Sequence, residues 1–303
     1  MKRRVDPGLL LLLTPLLWGA TFPATKIVLR HVGVLPFMAW TRALGFLAIL
    51  AWVPAVHRKE ERDRLRAVLG PAALLGALTL VGFTLQSAGL ARTTATNAGF
   101  ITGLYVVFTP ILAAAAFRYR VPGSAWLAVA LSVAGLALLS IHDLRSLKLH
   151  AGDLLVLAGA VAWAGHITAV GYFSPRHPGW MLALGQMGFA ALYHTLASLP
   201  GGLQTDRVLS APVWPLLIMT GVLGSGVAFT IQIVAQQTVT TTRAVVLLAG
   251  EAIFSAAFSA VWIGERLSFH QCTGAALVLA AMAFSELSAR RSAALRFEPA
   301  AVP

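Results

Sequence analysis

Ten apolar runs follow one another along this sequence, each close to the length of about 20 residues that crosses a lipid bilayer as a helix. Prolines and short connections separate the runs, which leaves no room for a separate soluble domain. The predicted spans are 8–28, 36–56, 67–90, 97–117, 123–141, 152–173, 179–199, 212–235, 243–263 and 268–288. Only 11% of the residues are charged, against about 25% in soluble domains. The sequence therefore predicts an all-α polytopic membrane protein.

The basic residues predict how the chain is oriented in the membrane. The net charge is +12, but Lys and Arg occupy short connections and the two ends of the chain, a distribution that argues against a nucleic-acid-binding patch. With the N-terminus inside, 15 of the 23 basic residues lie on the inner side and six on the outer side. This excess predicts that both termini are cytoplasmic. The other two, Lys26 and Arg42, lie within spans near their outer ends, where long side chains are expected to snorkel toward water.

The chain contains an internal repeat. Residues 83–120 recur 146 positions later as residues 229–266, with nine of 38 positions identical, including polar pairs that an apolar background would not supply. Each copy belongs to a half with five predicted spans, at 1–145 and 146–288. Because five is odd, the second half must insert upside down relative to the first. We expect two inverted five-helix repeats around a central cavity, followed by a disordered cytoplasmic tail at 289–303.

Polar and aromatic side chains within the spans are the candidates for lining that cavity, because such groups are costly in hydrocarbon. They share helix faces on equivalent spans of the two halves, as the spacing of Thr79, Phe83 and Gln86 illustrates. The candidate substrate-binding residues are Trp18, Thr21, Phe22, Thr79, Phe83, Gln86, Thr102, Tyr105, Trp163, His166, Ser225, Phe229, Gln232 and Glu251. Structural hydrogen bonds between helices remain the alternative interpretation for the polar members.

Two of these candidates are titratable within the spans. Glu251 lies eight residues into its span, roughly 12 Å deep at about 1.5 Å per residue. A carboxyl group at that depth must be protonated or paired. A role in substrate binding or proton exchange and a purely structural hydrogen bond both stay open for Glu251 and for His166. No metal and no cofactor are predicted, and no GxxxxGK[ST] motif for ATP occurs in the chain.

Five features of the sequence form a recognisable set: WGATFPATK at 18–26, Arg42, NAGFITGLYVVFTPILAA at 97–114, and the repeat ends RYRVP and GERLS. Together they resemble the EamA-type members of the drug/metabolite transporter superfamily. The resemblance covers nearly the whole chain and is greatest to the exporters of aromatic and neutral amino acids. It implies ten helices in the bacterial inner membrane, with spans 1–4 and 6–9 around a cavity and spans 5 and 10 outside it. The chain departs from the family pattern at Tyr119, where an acid commonly precedes the arginine, and at Ala252, where a proline often follows the glutamate.

Together these features predict an exporter of aromatic or neutral amino acids and related small metabolites that works by alternating access. The substrate is expected near the membrane midplane between Trp18 and Trp163. Proton exchange and facilitated diffusion are both open as the driving process. The predicted partners are a small-molecule substrate and the lipid bilayer, and the sequence does not determine the oligomeric state. A passive channel for small polar solutes is the first alternative. An intramembrane enzyme is less favoured, since no HExxH motif occurs.

Overall fold

The described part of the computed structural model, residues 6–52, 61–118, 121–140, 151–266 and 268–297, consists of helices joined by short connections. The all-α prediction is therefore confirmed for these residues. The long helices are α1 (Pro7–Val28), α2 (Val34–Trp52), α3 (Glu61–Leu90), α4 (Ala95–Phe117), α5 (Gly123–Ser140), α6 (Ala151–Phe173), α7 (Gly179–Ser198), α8 (Trp214–Ala235), α9 (Thr241–Ile263) and α10 (Phe269–Phe297).

Eight of these helices are long and apolar enough to cross a membrane. The other two, α5 and α7, stand where spans were predicted but fall short for different reasons. The apolar part of α5, Gly123–Leu138, is shorter than the apolar parts of the eight spanning helices. Helix α7 is long enough, but it carries the polar side chains of Gln186 and His194. The prediction of ten spans is thus supported at eight positions and stays a prediction at the other two.

The ends of two helices differ from the predicted boundaries. Helix α10 continues to Phe297, well into the segment predicted to be a disordered tail. Its last turns are rich in Ala, Leu and Arg, which are among the best helix formers. Helix α3 likewise begins at Glu61, ahead of its predicted apolar start. Tyr119 and Arg120, at the end of the first repeat copy, lie outside the described residues.

Helices α5 and α10 pack mainly against each other at one side of the molecule. The remaining helices pack in pairs that join the two halves of the chain, with α1 on α9, α2 on α7 and α8, and α3 on α6 and α7. The side chains that surround the central cavity come from α1, α3, α4, α6, α8 and α9. This arrangement agrees with what the family resemblance implies for spans 5 and 10.

Helices α4 and α9 share three features at the 146-residue offset of the sequence repeat. Each has a threonine N-cap, an interruption near its middle and a left-handed C-cap; the pairs are Thr94 and Thr240, Leu104 and Gly250, and Arg118 and Gly264. The interruption in α9 forms without the proline that often follows the glutamate in the family. Tyr105 and Glu251 are the first residues after the two interruptions.

Hydrogen bonds join four helices at one end of the molecule. Glu265, just after α9, accepts from the backbone N–H groups of Ala95 (3.1 Å) and Thr96 (3.2 Å) at the start of α4. A carboxylate at this place satisfies orphan donors and complements the helix dipole. The ammonium group of Lys26 on α1 donates to the carbonyl of Leu90 at the end of α3, 2.7 Å away. The predicted snorkelling of Lys26 thus ends on backbone carbonyl groups.

An ion-pair cluster joins α9 to the first and last helices. The guanidinium of Arg243, near the start of α9, donates from Nε to Glu286 Oε1 on α10 at 2.7 Å. Its Nη2 also lies 3.7 Å from Asp6 Oδ1, at the start of α1. Charged side chains therefore anchor both ends of α9, Arg243 near its start and Glu265 just after its end.

Close contact between α1 and α9 depends on Gly19. A Cβ atom at Gly19 would lie 2.3 Å from Phe254 Cβ, so Gly19→Ala is expected to destabilise the fold by about 1–3 kcal/mol. Gly70→Ala is the matched control, because a Cβ there meets nothing within 4 Å. Thermal unfolding of both purified variants measures the difference. An unchanged melting temperature for Gly19→Ala would contradict the close packing of α1 on α9.

Candidate functional site

Four aromatic rings from four helices meet near the centre of the bundle. These are Trp18 on α1, Phe83 on α3, Trp163 on α6 and Phe229 on α8, and we call them the aromatic cage. Ring centroids are 4.9 Å apart for Trp18 and Phe229, and 4.5 Å apart for Phe83 and Trp163, which meet edge to face. Such geometry is favoured by the ring quadrupoles. Both halves of the chain contribute two rings.

Hydrogen bonds fix both indole rings of the cage. Trp163 Nε1 donates to Gln86 Oε1 at 2.9 Å, and Gln86 Nε2 donates in turn to Thr102 Oγ1 at 3.2 Å. Trp18 Nε1 donates to the carbonyl of Gly224 at 3.0 Å. A buried indole usually has such a partner. The first two bonds link α6, α3 and α4, and the third links α1 to the backbone of α8.

The Gly224 carbonyl belongs to a π-helical stretch of α8, Met219–Val227. The wider turns of a π-helix occur frequently at functional sites. Here Ser225 donates its hydroxyl proton to the Thr220 carbonyl at 2.9 Å, within the stretch. The irregular turn thus keeps its own polar groups partnered while one carbonyl accepts from the cage.

A cavity lies beside the cage and brings together ten of the fourteen predicted residues. Its lining consists of Trp18, Thr21, Phe22, Phe83, Gln86, Thr102, Tyr105, Trp163, Ile167, Phe229 and Glu251. The space open to the centres of water molecules is about 30 Å³. Because a water needs about 10–15 Å³ on this scale, the cavity has room for about two or three waters. A solute of several heavy atoms requires the cage to open.

The other four predicted residues lie behind the lining. Thr79 donates to the carbonyl of Leu75 within its own helix. His166 contacts Gln186 Oε1 through Nε2 at 3.0 Å, and its ring lies nearly perpendicular to the rings of Trp163 and Phe229. Ser225 sits in the π-helical stretch described above. Gln232 donates to Gln236 Oε1 at 3.1 Å. The structure therefore does not bring these four into the cavity, and their predicted substrate contact stays a prediction.

Sequence reasoning missed Ile167 as a lining residue. The predicted residues after the two tryptophans include Thr21 and His166, each three positions further along its helix. The lining instead follows the i, i+4 spacing, with Phe22 after Trp18 and Ile167 after Trp163. An apolar residue in an apolar helix gives no signal of its own, but this spacing could have identified it.

Tyr105 and Glu251 adjoin each other across the cavity, and the phenol lies close enough to interact with the carboxyl group. Both side chains are buried, with 3% of Glu251 exposed. Neither Tyr105 Oη nor Glu251 Oε1 makes a hydrogen bond of regular geometry with another of the described residues. The two helix interruptions thus place two incompletely paired oxygen groups on the cavity wall. Across the described chain, no group of three His, Cys, Asp or Glu is placed to hold a metal ion.

Arg42 on α2 lies behind the cage with its charge buried. Its side chain is 3% exposed, so the predicted snorkelling is wrong for this residue. The guanidinium carbon lies 3.7 Å from the centroid of the Phe83 ring, and Nη2 donates to Thr41 Oγ1 at 3.1 Å. Nε and Nη1 have no partner, and no carboxylate pairs with Arg42, among the described residues. Helix α7 contributes His194, also buried, within electrostatic range of the guanidinium.

The surroundings of Arg42 do not balance the burial of its charge. A desolvated cation–π contact contributes about 2 kcal/mol, whereas taking an ion out of water costs several kcal/mol even after relaxation. One hydrogen bond to a threonine adds about 1 kcal/mol. Sequence reasoning placed Arg42 near a helix end, but the position of a residue along a helix does not show which way its side chain points.

These features define a multi-pass membrane protein with a small central site built by both halves of the chain. The model of the EamA-like transporter family matches residues 7–141 and 150–286. The chain therefore belongs to the EamA-like transporter family, and the resemblance read from the sequence is confirmed for the family, though not for the subgroup of amino-acid exporters.

Two proteins of similar sequence are also described as transporters. The chain is 30% identical over 280 residues to an uncharacterized transporter of Archaeoglobus fulgidus, covering 92% of this chain and 85% of that one. It is 27% identical over 154 residues to the uncharacterized transporter YyaM of Bacillus subtilis, covering 48% and 49% respectively. A solved crystal structure at 19% identity has a TM-score of 0.75 and covers 95% of this chain and 99% of that chain, which shows a shared fold.

The hydrogen bond between Gln86 and Trp163 gives a test of the cage geometry. Gln86→Leu leaves the buried indole N–H without its acceptor, so we expect a loss of about 1–3 kcal/mol in stability. Replacing both partners, Gln86→Leu with Trp163→Phe, removes the unpaired donor and is expected to recover part of that loss. Thermal unfolding of the two single variants and the double variant measures this coupling. Strictly additive effects would show that the bond does not exist.

Proposed function

We propose that this protein exports aromatic or neutral amino acids and related small metabolites across the bacterial inner membrane by alternating access. The observation that carries the proposal is the composition of the cavity. Four aromatic rings from both halves stand beside Gln86, Thr102, Tyr105 and Glu251, and the last two directly follow the interruptions near the middle of α4 and α9. Transporters built from repeats bind substrate at such a place, where interrupted helices meet. Aromatic walls with a few polar groups suit a solute with an apolar side chain and polar ends.

Substrate binding in this proposal requires movement of the aromatic cage. The indole centroids of Trp18 and Trp163 are 6.5 Å apart, within the range of about 4.5–7 Å of direct aromatic neighbours. A solute side chain between them separates the two rings. Because Trp18 is bonded to α8 and Trp163 to α3, that separation is transmitted to helices of both halves.

The proposed architecture is ten spans in two inverted five-helix repeats, 1–145 and 146–288, with both termini in the cytoplasm. In that topology the two ends of α9 lie on opposite sides of the membrane. Glu265 anchors one end to α4, and Arg243 anchors the other to α10 and α1. Alternating access then consists of loosening one anchored end while the other stays closed.

The driving process is either proton exchange or the substrate gradient. Glu251 lines the cavity with an oxygen that makes no hydrogen bond of regular geometry with the described residues, whereas His166 lies behind the cage. This difference favours Glu251 over His166 as the group that takes up and releases a proton during the cycle.

Transport by reconstituted vesicles tests the proposal directly. Vesicles loaded with labelled amino acids should show saturable, protein-dependent flux and counterflow. Trp163→Ala should raise KM about tenfold or more, because an aromatic contact of about 1.4 kcal/mol corresponds to a factor of ten. Trp126→Ala is the matched control, since Trp126 on α5 is 42% exposed and outside the cavity. Protein-dependent flux of none of the amino acids would refute the proposal, and flux without saturation or counterflow would favour a channel.

A second measurement tests the role of Glu251. If Glu251 exchanges a proton during the cycle, Glu251→Gln should abolish the pH dependence of net transport while leaving exchange of substrate for substrate in place. Asp206→Asn serves as the control, because that carboxylate lies outside the cavity in the connection between α7 and α8. An unchanged rate and pH profile in Glu251→Gln would eliminate proton coupling through this residue.

A further inference from the structure

We propose that Arg42 binds the carboxylate group of the transported solute, with Phe83 as the movable partition between the guanidinium and the cavity. The inference rests on the proposed transport function and specifies the substrate class of the same site. A site of this kind favours solutes that carry an anionic group. When the solute is an amino acid, its ammonium and carboxylate groups face different sides of the cavity.

The first step of the argument is the missing counter-ion. Arg42 is 3% exposed, and its Nε and Nη1 have no partner among the described residues. Arginine stays protonated in proteins, so it cannot escape the cost of burial by losing its proton. Buried charges are ordinarily paired, and no carboxylate of the described residues pairs with this one. The free donors form part of the planar fork that binds a carboxylate in a bidentate manner.

The second step is the position of Phe83. Its ring lines the cavity, and the Arg42 guanidinium lies over the same ring, 3.7 Å from its centroid. A single aromatic side chain therefore stands between the unpaired cation and the space where the solute is proposed to bind. Phe83 also meets Trp163 edge to face at 4.5 Å. When a solute separates the cage rings, Phe83 loses that neighbour and is free to turn away from Arg42.

The third step is the charge distribution around the cavity. Glu251 and Tyr105 present oxygen groups from α9 and α4, while Arg42 adjoins the cavity from α2 behind Phe83. A carboxyl group on one wall, a guanidinium behind another and aromatic rings between them are complementary to an amino acid. Its ammonium group would face Glu251 and its carboxylate would face Arg42. The buried histidine on α7, His194, is a further titratable group near the guanidinium.

The transport test compares solutes that differ only in the anionic group. Phenylalanine, phenylalanine amide and phenethylamine are offered in counterflow to wild type, Arg42→Lys and Arg42→Met. Wild type should prefer the acid over its amide, and Arg42→Met should lose about 10- to 100-fold of its acid flux while it keeps the amide flux. Arg42→Lys should be intermediate, because lysine keeps the charge and loses the fork. Arg30→Met, which removes an exposed arginine, is the control and should leave the preference unchanged.

The binding test does not depend on transport. In purified protein without added solute, Arg42→Met should melt at the same temperature as wild type or higher, because a well-packed apolar side chain replaces an uncompensated charge. Benzoate should raise the melting temperature of wild type more than benzamide does, and this difference should disappear in Arg42→Met.

The two tests separate the two proposals. Equal loss of acid and amide flux in Arg42→Met, or a lower melting temperature of that variant without solute, would overturn the role of Arg42 and leave amino-acid transport standing. If no amino acid is transported but benzoate stabilises wild type alone, the amino-acid proposal fails and the carboxylate site stands. Equal effects of benzoate and benzamide on wild type would overturn the carboxylate site whatever the flux measurements show.

Discussion

A polar group within a membrane must find its partner inside the protein, and the centre of this molecule is organised around that requirement. Trp163, Gln86 and Thr102 form a continuous chain of hydrogen bonds, and Trp18 is bonded to a backbone carbonyl. These pairs hold the aromatic side chains in fixed positions. Incompletely paired groups remain on twelve of the described residues; those of Tyr105 and Glu251 line the cavity, and that of Arg42 lies against Phe83 on the cavity wall. Their missing partners are what a bound solute can supply.

Much of the fold was predictable, because long apolar runs and a fixed repeat offset are strong signals. Residues selected by polarity and helical spacing, such as Gln86 and Glu251, also reached the cavity wall. Prediction failed where the chemical type of a residue does not indicate which way its side chain points. Ile167 resembles its many apolar neighbours, and Arg42 was expected to reach water because its depth was known and its orientation was not. Whether a polar residue such as His166 lies in front of a ring or behind it depends on packing between helices that are distant in the sequence.

The two halves keep the same backbone design and differ in the chemistry that it presents. Helices α4 and α9 are interrupted at equivalent residues, Leu104 and Gly250, even though α9 lacks a nearby proline. The interruption therefore does not depend on one residue type. The residue after each interruption does differ between the halves, with a neutral phenol at Tyr105 in one and a carboxyl group at Glu251 in the other. Equivalent helices can then move in similar ways while the solute meets two different walls.

The small size of the cavity also bears on the electrical properties of the membrane. A space of about 30 Å³ holds about two or three waters, which is far too short a column to cross a hydrocarbon layer of about 30 Å. In this conformation, the cavity lined by the described residues therefore provides no continuous column of water across that layer. A transporter whose central cavity holds so little water does not let the membrane potential dissipate through that cavity, so the energy stored across the membrane is kept between transport events.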